Sequence, residues 1–148
     1  LPETTVREEY ADVFEKTDKH FDDEFETLLI SALLKMEAED KADITTGLGT
    51  LRLLLEAVID EACREKLGKA PESFHFADKS RTRQILEAMR QQVLPIELYD
   101  SAVMLYRLGS RFGNHQDPVS QGTVVLSPNK YTYQRCVFSL LELIVFLF

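Results

Sequence analysis

The chain has 148 residues, of which 45% are hydrophobic and 28% charged, and its formal net charge is -8. This length and balance predict one soluble globular domain with its own core, and they exclude a disordered or fibrous protein. The negative charge argues against broad non-specific binding of DNA or RNA, although a local basic site can still hold a short strand.

The start of the chain and its two cysteines bear on the cellular compartment. The chain begins at Leu1 with no charged-then-apolar leader, so we expect a cytoplasmic protein, processed or excised from a longer one. Cys63 and Cys136 are expected to be small buried side chains in a reducing compartment. The apolar segment Val137 to Phe148 is shorter than the ~20 residues that span a bilayer, so no membrane partner is expected.

Five helical segments are predicted, and no strand pattern competes with them. The first covers roughly residues 5–39, where apolar side chains recur at helical spacing, with a break near residues 16–20. The second runs from a cap at Asp43 or Thr45 to about Lys66, and Gly68 is suited to end it in a left-handed conformation.

The third helix is expected from about Asp78 to Val93, after a loop that holds His75 between two phenylalanines. Its first half is basic, which is typical of a solvated helix face. The alternative is a phosphate-facing wall that includes Arg83. Histidine between aromatic side chains could likewise stack on a base, although a loop anchored by two buried rings explains the same residues.

Pro95 is suited to the first turn of the fourth helix, which carries an apolar stripe toward Arg111 and is broken near Gly113. Residues 116–126 are expected to form a loop with a short extended piece at 123–126. Ser127 is predicted to cap the last helix, with Pro128 at its first position. The whole chain, residues 1–148, is therefore predicted to be one compact all-α bundle of about five helices.

The end of the fourth helix carries the residues best suited to chemistry. Arg107 and Arg111 are four positions apart, which places them on one helix face, and His115 follows after another four. Arginine is a permanent phosphate ligand and histidine titrates near neutrality. In RNA cleavage, histidine could take the 2′-hydroxyl proton or protonate the leaving oxygen, while arginine stabilises the charge on the phosphate. Capping of the helix end by the same residues is the alternative interpretation.

The order of elements resembles the HEPN superfamily of small helical domains. The resemblance spans about residues 43–148 and rests on four features: the segment TLRLLLEAV of the second helix, VLP after the third, LYRLGSRFGNH at the end of the fourth, and the apolar last helix. It is closest to the HEPN branch with an arginine, a Gly-Asn pair and a histidine, which is found beside restriction or phage-defence modules.

The resemblance implies a homodimer in which the motif helices of two subunits form one metal-independent ribonuclease cleft, without a cofactor. His115 takes the position of the family's histidine, and Asn114 would orient it or a phosphate oxygen. The family usually has four to six residues between arginine and histidine, whereas Arg111 leaves three and Arg107 leaves seven. Ser110 stands where the shortest form of the motif has its arginine. Other HEPN domains bind RNA, nucleotides or partner proteins without catalysis.

Two functions therefore remain open. The first is RNA cleavage or RNA/nucleotide binding by a dimer in a phage-defence or toxin-type system. The second is a non-catalytic dimerisation or protein-interaction module, docked to a partner protein or fused effector domain through the very apolar last helix. A DNA-binding domain is disfavoured by the net charge. His20 is expected to be solvated, and the acidic run at residues 22–26 is expected to be a charged helix face rather than a metal site.

Overall fold

The computed structural model describes residues 3–75, 79–113, 124 and 126–148. Within these ranges the chain contains seven α-helices, a turn of π-helix at Cys63–Leu67, a turn of 3-10 helix at Pro71–Ser73, and no strand. The helices are α1 (Glu3–Glu9), α2 (Ala11–His20), α3 (Asp23–Leu34), α4 (Lys41–Ala62), α5 (Arg81–Met89), α6 (Ile96–Phe112) and α7 (Lys130–Leu147). The all-α class predicted from the sequence is confirmed.

The N-terminal region holds three helices where the sequence predicts one region with a break near residues 16–20. Tyr10 leaves helical geometry at φ -113° and ψ 37°, and Phe21 is extended at φ -133° and ψ 162°. Asp22 then starts α3, because its side chain accepts a hydrogen bond from the backbone N–H of Phe25. The rings of Phe21 and Phe25 stack with their centroids 4.1 Å apart, so the break lies just beyond the expected position.

The long helix α4 starts earlier than predicted. Asp40, rather than Asp43 or Thr45, is its N-cap, since the Asp40 carboxylate accepts a 2.7 Å hydrogen bond from the N–H of Ala42. At the other end, the π-helical turn leads to Gly68, whose φ of 64° confirms the predicted left-handed cap.

The later helices also differ from prediction at their starts. Ser80 caps α5 by accepting a hydrogen bond from the N–H of Arg83, and Pro95 is the N-cap of α6 rather than its first helical residue. The start of α7 was predicted at Ser127 and Pro128, which is wrong. Asn129 caps α7 through a capping box, because its side chain accepts from the N–H of Thr132 while the Thr132 hydroxyl accepts from the N–H of Asn129.

Helix α4 lies at the centre of the fold and packs against α3, α5, α6 and α7. Its inward side chains are fully buried, and each large one contributes about 1.5–3 kcal/mol through its removal from water; they include Leu48, Leu51, Leu54, Leu55, Val58 and Ile59. Cys63 and Cys136 are free and buried, as the sequence predicted. Among the described helices, none has both the length and the apolar composition needed to cross a bilayer.

Candidate functional site

The two faces of α6 have opposite roles. Gly109 is buried against α4, whereas Arg107 and Arg111 are exposed. Each arginine is two residues from Gly109, and two residues correspond to roughly 200° of rotation around an α-helix. Packing of the glycine against α4 therefore directs both arginines away from the core.

The last turn of α6 is held against α4 by direct backbone contact. A Cβ added at Gly113 would lie 2.5 Å from both the N and the Cα of Gly49, which is closer than real Cβ atoms approach other atoms. A Cβ at Gly109 would lie 3.0 Å from the carbonyl oxygen of Leu48. Since side chains would separate the two helices at these positions, the glycines allow the last turn of α6 to pack directly on α4.

Arg107 and Arg111 line one surface pocket of about 400 Å³, together with Asp100, Met104 and apolar side chains of α6. The predicted one-face relationship of the two arginines is thus present in the structure. Among the described residues, the charged groups that line the pocket are two guanidinium groups and one carboxylate. The pocket consequently has a local positive charge on a protein whose net charge is -8.

The two pocket arginines differ from most other arginines of the protein. Arg7, Arg52, Arg64 and Arg81 each form an ion pair with a carboxylate. Neither Arg107 nor Arg111 forms one with any residue in the described ranges, and the guanidinium carbon of Arg111 lies 5.1 Å from the ring centroid of its neighbour Phe112. As far as the described ranges extend, their guanidinium groups can therefore bind an external anion without first releasing a carboxylate.

Comparison with protein-family models, with curated proteins and with solved structures found no match.

The other predicted site residues lie in different places. Asn114 and His115 fall outside the described residues. Ser110 is half-buried on α6 and does not line the arginine pocket. Arg83 is half-buried on α5 and does not line it either.

The basic face of α5 is largely occupied by contacts within the protein. Lys79 pairs with Glu87, Arg81 pairs with Asp60, and the Arg90 guanidinium lies 5.2 Å from the ring centroid of Tyr99. The sequence suggested either a solvated face or a phosphate-facing wall, and the ion pairs of Lys79 and Arg81 were not predicted.

Helix α4 also carries a row of charges among its leucines. Arg52, Glu56 and Asp60 are spaced four residues apart, so they follow one face of the helix, and Arg52 donates to Glu56 over 3.1 Å. Asp60 accepts a 2.9 Å hydrogen bond from Arg81 of α5. Burial raises the pKa of Glu56 and of Asp60, with the neighbouring arginines opposing the shift. The spacing was visible in the sequence, inside a helix otherwise rich in leucine.

The remaining histidines have structural surroundings. His20 was expected to be solvated, but its Nδ1 lies 3.0 Å from a Glu65 carboxylate oxygen and its ring lies 4.7 Å from that of Phe148. This correction arises because the chain end packs back onto α2. His75 is exposed, and its carbonyl oxygen accepts a hydrogen bond from Gln84.

The acidic run at residues 22–26 is used in the fold. Asp22 caps α3, and Glu26 pairs with Arg7. In the described part of the chain, no three His, Cys, Asp or Glu side chains are grouped to hold a metal ion.

Proposed function

We propose that this protein is a HEPN-like helical domain that acts as a dimer and binds RNA or a nucleotide phosphate in the Arg107–Arg111 pocket. The observation that carries the proposal is the pair of exposed arginines without carboxylate partners in the described ranges, both lining one pocket at the end of α6. Two guanidinium groups on adjacent turns match the oxygens of a phosphodiester.

The chain directly after this pocket carries the second chemical group. Gly113 ends α6 against Gly49, and Asn114 and His115 follow it in sequence. For cleavage, His115 would remove the 2′-hydroxyl proton or protonate the leaving 5′-oxygen, and the arginines would stabilise the negative charge that builds on the phosphate. Attack of the 2′-oxygen on phosphorus breaks the bond to the 5′-oxygen, which leaves a 2′,3′-cyclic phosphate and a 5′-hydroxyl.

Binding is tested by fluorescence anisotropy with a labelled single-stranded RNA. We expect the substitutions Arg107→Ala and Arg111→Ala together to weaken binding at least tenfold. They should also reduce the slope of log K against log salt by about 1.4, because each phosphate contact on a single strand contributes about 0.7. The matched control is Arg64→Ala with Arg135→Ala, which removes the same charge from two other exposed arginines. Equal effects of the two double substitutions would refute the site.

A second variant tests the sign of the local field. Asp100 lines the same pocket and repels an anion there, so Asp100→Asn should tighten RNA binding by roughly two- to fivefold, the range typical of one exposed charge. Weaker binding by this variant would contradict the proposal.

Catalysis and dimerisation have separate tests. We expect RNA cleavage to end in a 2′,3′-cyclic phosphate, to persist in EDTA, and to stop when the 2′-hydroxyl at the cleaved position is replaced by hydrogen. His115→Ala should abolish cleavage while leaving RNA affinity within about threefold. Light scattering should show a dimer. RNA binding without cleavage by the wild type would limit the function to binding, in line with other HEPN domains.

A non-catalytic interaction module is the second candidate, and one observation favours it. Phe138, Val145 and Phe146 of α7 are 40–51% exposed, which is unusual for large apolar side chains on neighbouring turns. An RNA affinity insensitive to all the substitutions above would leave this as the supported function.

A further inference from the structure

A second surface, which shares no lining residue with the arginine pocket, is apolar at its base and acidic at its edge. It begins as a groove of about 690 Å³ between the start of α2, the start of α6 and the second half of α7. It continues into a smaller pocket of about 310 Å³ beside the ends of α1 and α3. Tyr10 and Phe138 line both, so the two form one continuous surface, which we call the α7 groove.

The apolar base of the α7 groove follows α7 for several turns. Gln134, Phe138, Leu141 and Val145 succeed one another at helical spacing, and Phe146 closes the far end. From Gln134 to Phe146 the groove extends roughly 18 Å, at about 1.5 Å per residue. This is the length of about three turns of an α-helix laid along α7. Phe138 and Phe146 are each 51% exposed, so the base is open to a ligand.

The edge of the α7 groove is uniformly negative. Among the residues that the structure describes, its lining includes five carboxylates and no lysine, arginine or histidine; the five are Glu9, Asp12, Glu37, Glu97 and Glu142. None of these carboxylates forms a salt bridge within the described ranges, whereas Glu26, Glu56, Asp60 and Glu87 do. The surface therefore combines an exposed apolar base with carboxylates on its flanks that have no salt-bridge partner in the described part of the chain.

We propose that the α7 groove binds an amphipathic α-helix of a partner protein, about three turns long, with an apolar face flanked by lysine or arginine. A helix of this kind places its apolar side chains against Phe138 and Val145 and its basic side chains against the acidic edge. Charge complementarity between the two selects the partner and its orientation.

The same charges disfavour the other occupants of an apolar surface. In a two-fold dimer the identical patch faces itself, so the carboxylates of one copy would oppose those of the other. An anionic lipid surface would likewise meet the acidic edge with charge of the same sign. The proposal does not depend on the Arg107–Arg111 pocket, because none of the residues that line that pocket lines the α7 groove.

The probe is a fluorescein-labelled 18-residue peptide of leucine and lysine, with leucine at positions i, i+3, i+4 and i+7. One comparison peptide has glutamate in place of lysine, and another has the same composition without helical periodicity. We expect saturable anisotropy with the first peptide and at least tenfold weaker binding of the other two. Equal binding of the basic and the non-periodic peptide would mean attraction by charge alone and would overturn the proposal.

Two pairs of variants locate the binding. Phe138→Ser with Phe146→Ser should weaken binding of the basic peptide at least tenfold. The control is Leu53→Ser with Tyr131→Ser, which changes two exposed side chains outside the groove and should leave the affinity within twofold. Glu97→Gln with Glu142→Gln should weaken binding of the basic peptide several-fold. Asp23→Asn with Glu24→Gln removes the same charge elsewhere and should leave that binding unchanged. All eight residues are exposed, so we expect every variant to fold, and circular dichroism checks this.

Three outcomes would overturn the assignment: matched variants with equal effects, a dimer that Phe138→Ser with Phe146→Ser converts to monomer, and sedimentation with phosphatidylglycerol vesicles that these two substitutions abolish. The second would assign the groove to another copy of the chain and the third to a membrane. RNA affinity is measured on the same variants. Because none of the substituted residues lines the arginine pocket, a change in peptide binding without a change in RNA binding separates this test from that of the proposed function.

Discussion

Gly109 of α6 lies directly against Arg52 of α4: a Cβ added to the glycine would be 2.8 Å from the Cβ of the arginine. Glycine within a helix is ordinarily about 1 kcal/mol less favourable than alanine. Here alanine would have to displace α4, because the atoms it meets are a Cβ and the backbone oxygen of Leu48 rather than the end of a flexible side chain. The packing of α6 on α4 therefore requires a residue without a side chain at position 109.

We therefore expect Gly109→Ala to destabilise the protein by about 1–2 kcal/mol, since overpacking of about 1–3 kcal/mol exceeds the gain in helix propensity. Urea denaturation measures the change. The control is Gly68→Asn, where a Cβ meets nothing within 4 Å and asparagine tolerates the left-handed conformation. A gain in stability for Gly109→Ala would show that α4 and α6 do not meet at these residues.

The start of α7 provides a second measurement on stability. Asn129→Ala removes the side chain that accepts from the N–H groups of Tyr131 and Thr132, and should lower the free energy of unfolding by about 1 kcal/mol. Ser127→Ala should change it by less than about 0.5 kcal/mol, because Ser127 is exposed and is not the cap. A larger loss of stability for Ser127→Ala than for Asn129→Ala would show that α7 starts at Ser127, as the sequence predicts.

The charges on α4 predict a pH dependence of stability with a defined sign. Burial raises the pKa of Glu56 and Asp60 above their ordinary values of 4.5 and 3.8. The folded state then holds these protons more tightly than the unfolded state. Their contribution to stability is complete below about pH 4 and is lost as the pH rises through the folded pKa values.

Urea denaturation between about pH 4 and pH 7 tests this sign. The stability of the wild type relative to Glu56→Gln with Asp60→Asn should decline as pH rises. Glu87→Gln is the opposite control, because the hydrogen bond from Lys79 lowers the pKa of Glu87 and its contribution is lost as pH falls. Parallel curves for the wild type and both variants would contradict the assigned shifts.

Both thiols should be inert in the native protein. Burial raises the pKa of Cys136 to about 11 and also raises that of Cys63, and both side chains are fully buried. Ellman's reagent at about pH 8 should thus react with neither thiol in the folded state and with both in guanidinium chloride. Rapid release of two equivalents from folded protein would show that the helices open far more often than this packing allows.

Much of the fold was predictable because its signals are local. Helical spacing of apolar side chains predicted the all-α class and the buried stripe of α4, and Gly68 was identified as a left-handed cap. The four-residue spacing of Arg107 and Arg111 placed both on one face. Helix starts were less predictable, because Asp40, Asp43 and Thr45 are all competent caps, as are Ser127 and Asn129. The choice among them depends on how the helices pack.

The features that were missed depend on residues distant in sequence. The sequence does not show that Gly109 must be a glycine, because the reason is its contact with Arg52 of α4. Nor does it distinguish the exposed Phe138 from its buried neighbours on α7, because the groove is formed only when α1, α3 and α6 pack around it. His20 was assigned to solvent because its neighbours in sequence are charged, whereas Glu65 and Phe148 reach it from elsewhere in the chain. His115, to which we assign proton transfer in the proposed cleavage, lies outside the described ranges.

The crossing of α4 and α6 at their glycines also has a consequence for biosynthesis. Gly49 and Gly113 are separated by roughly 60 residues, so the contact closes a long loop that includes α5. As the chain leaves the ribosome, α4 has no partner for its glycine face until α6 has been made. That face of the central helix therefore stays uncovered in the interval, and slower translation between the two helices should lengthen the time for which it is exposed.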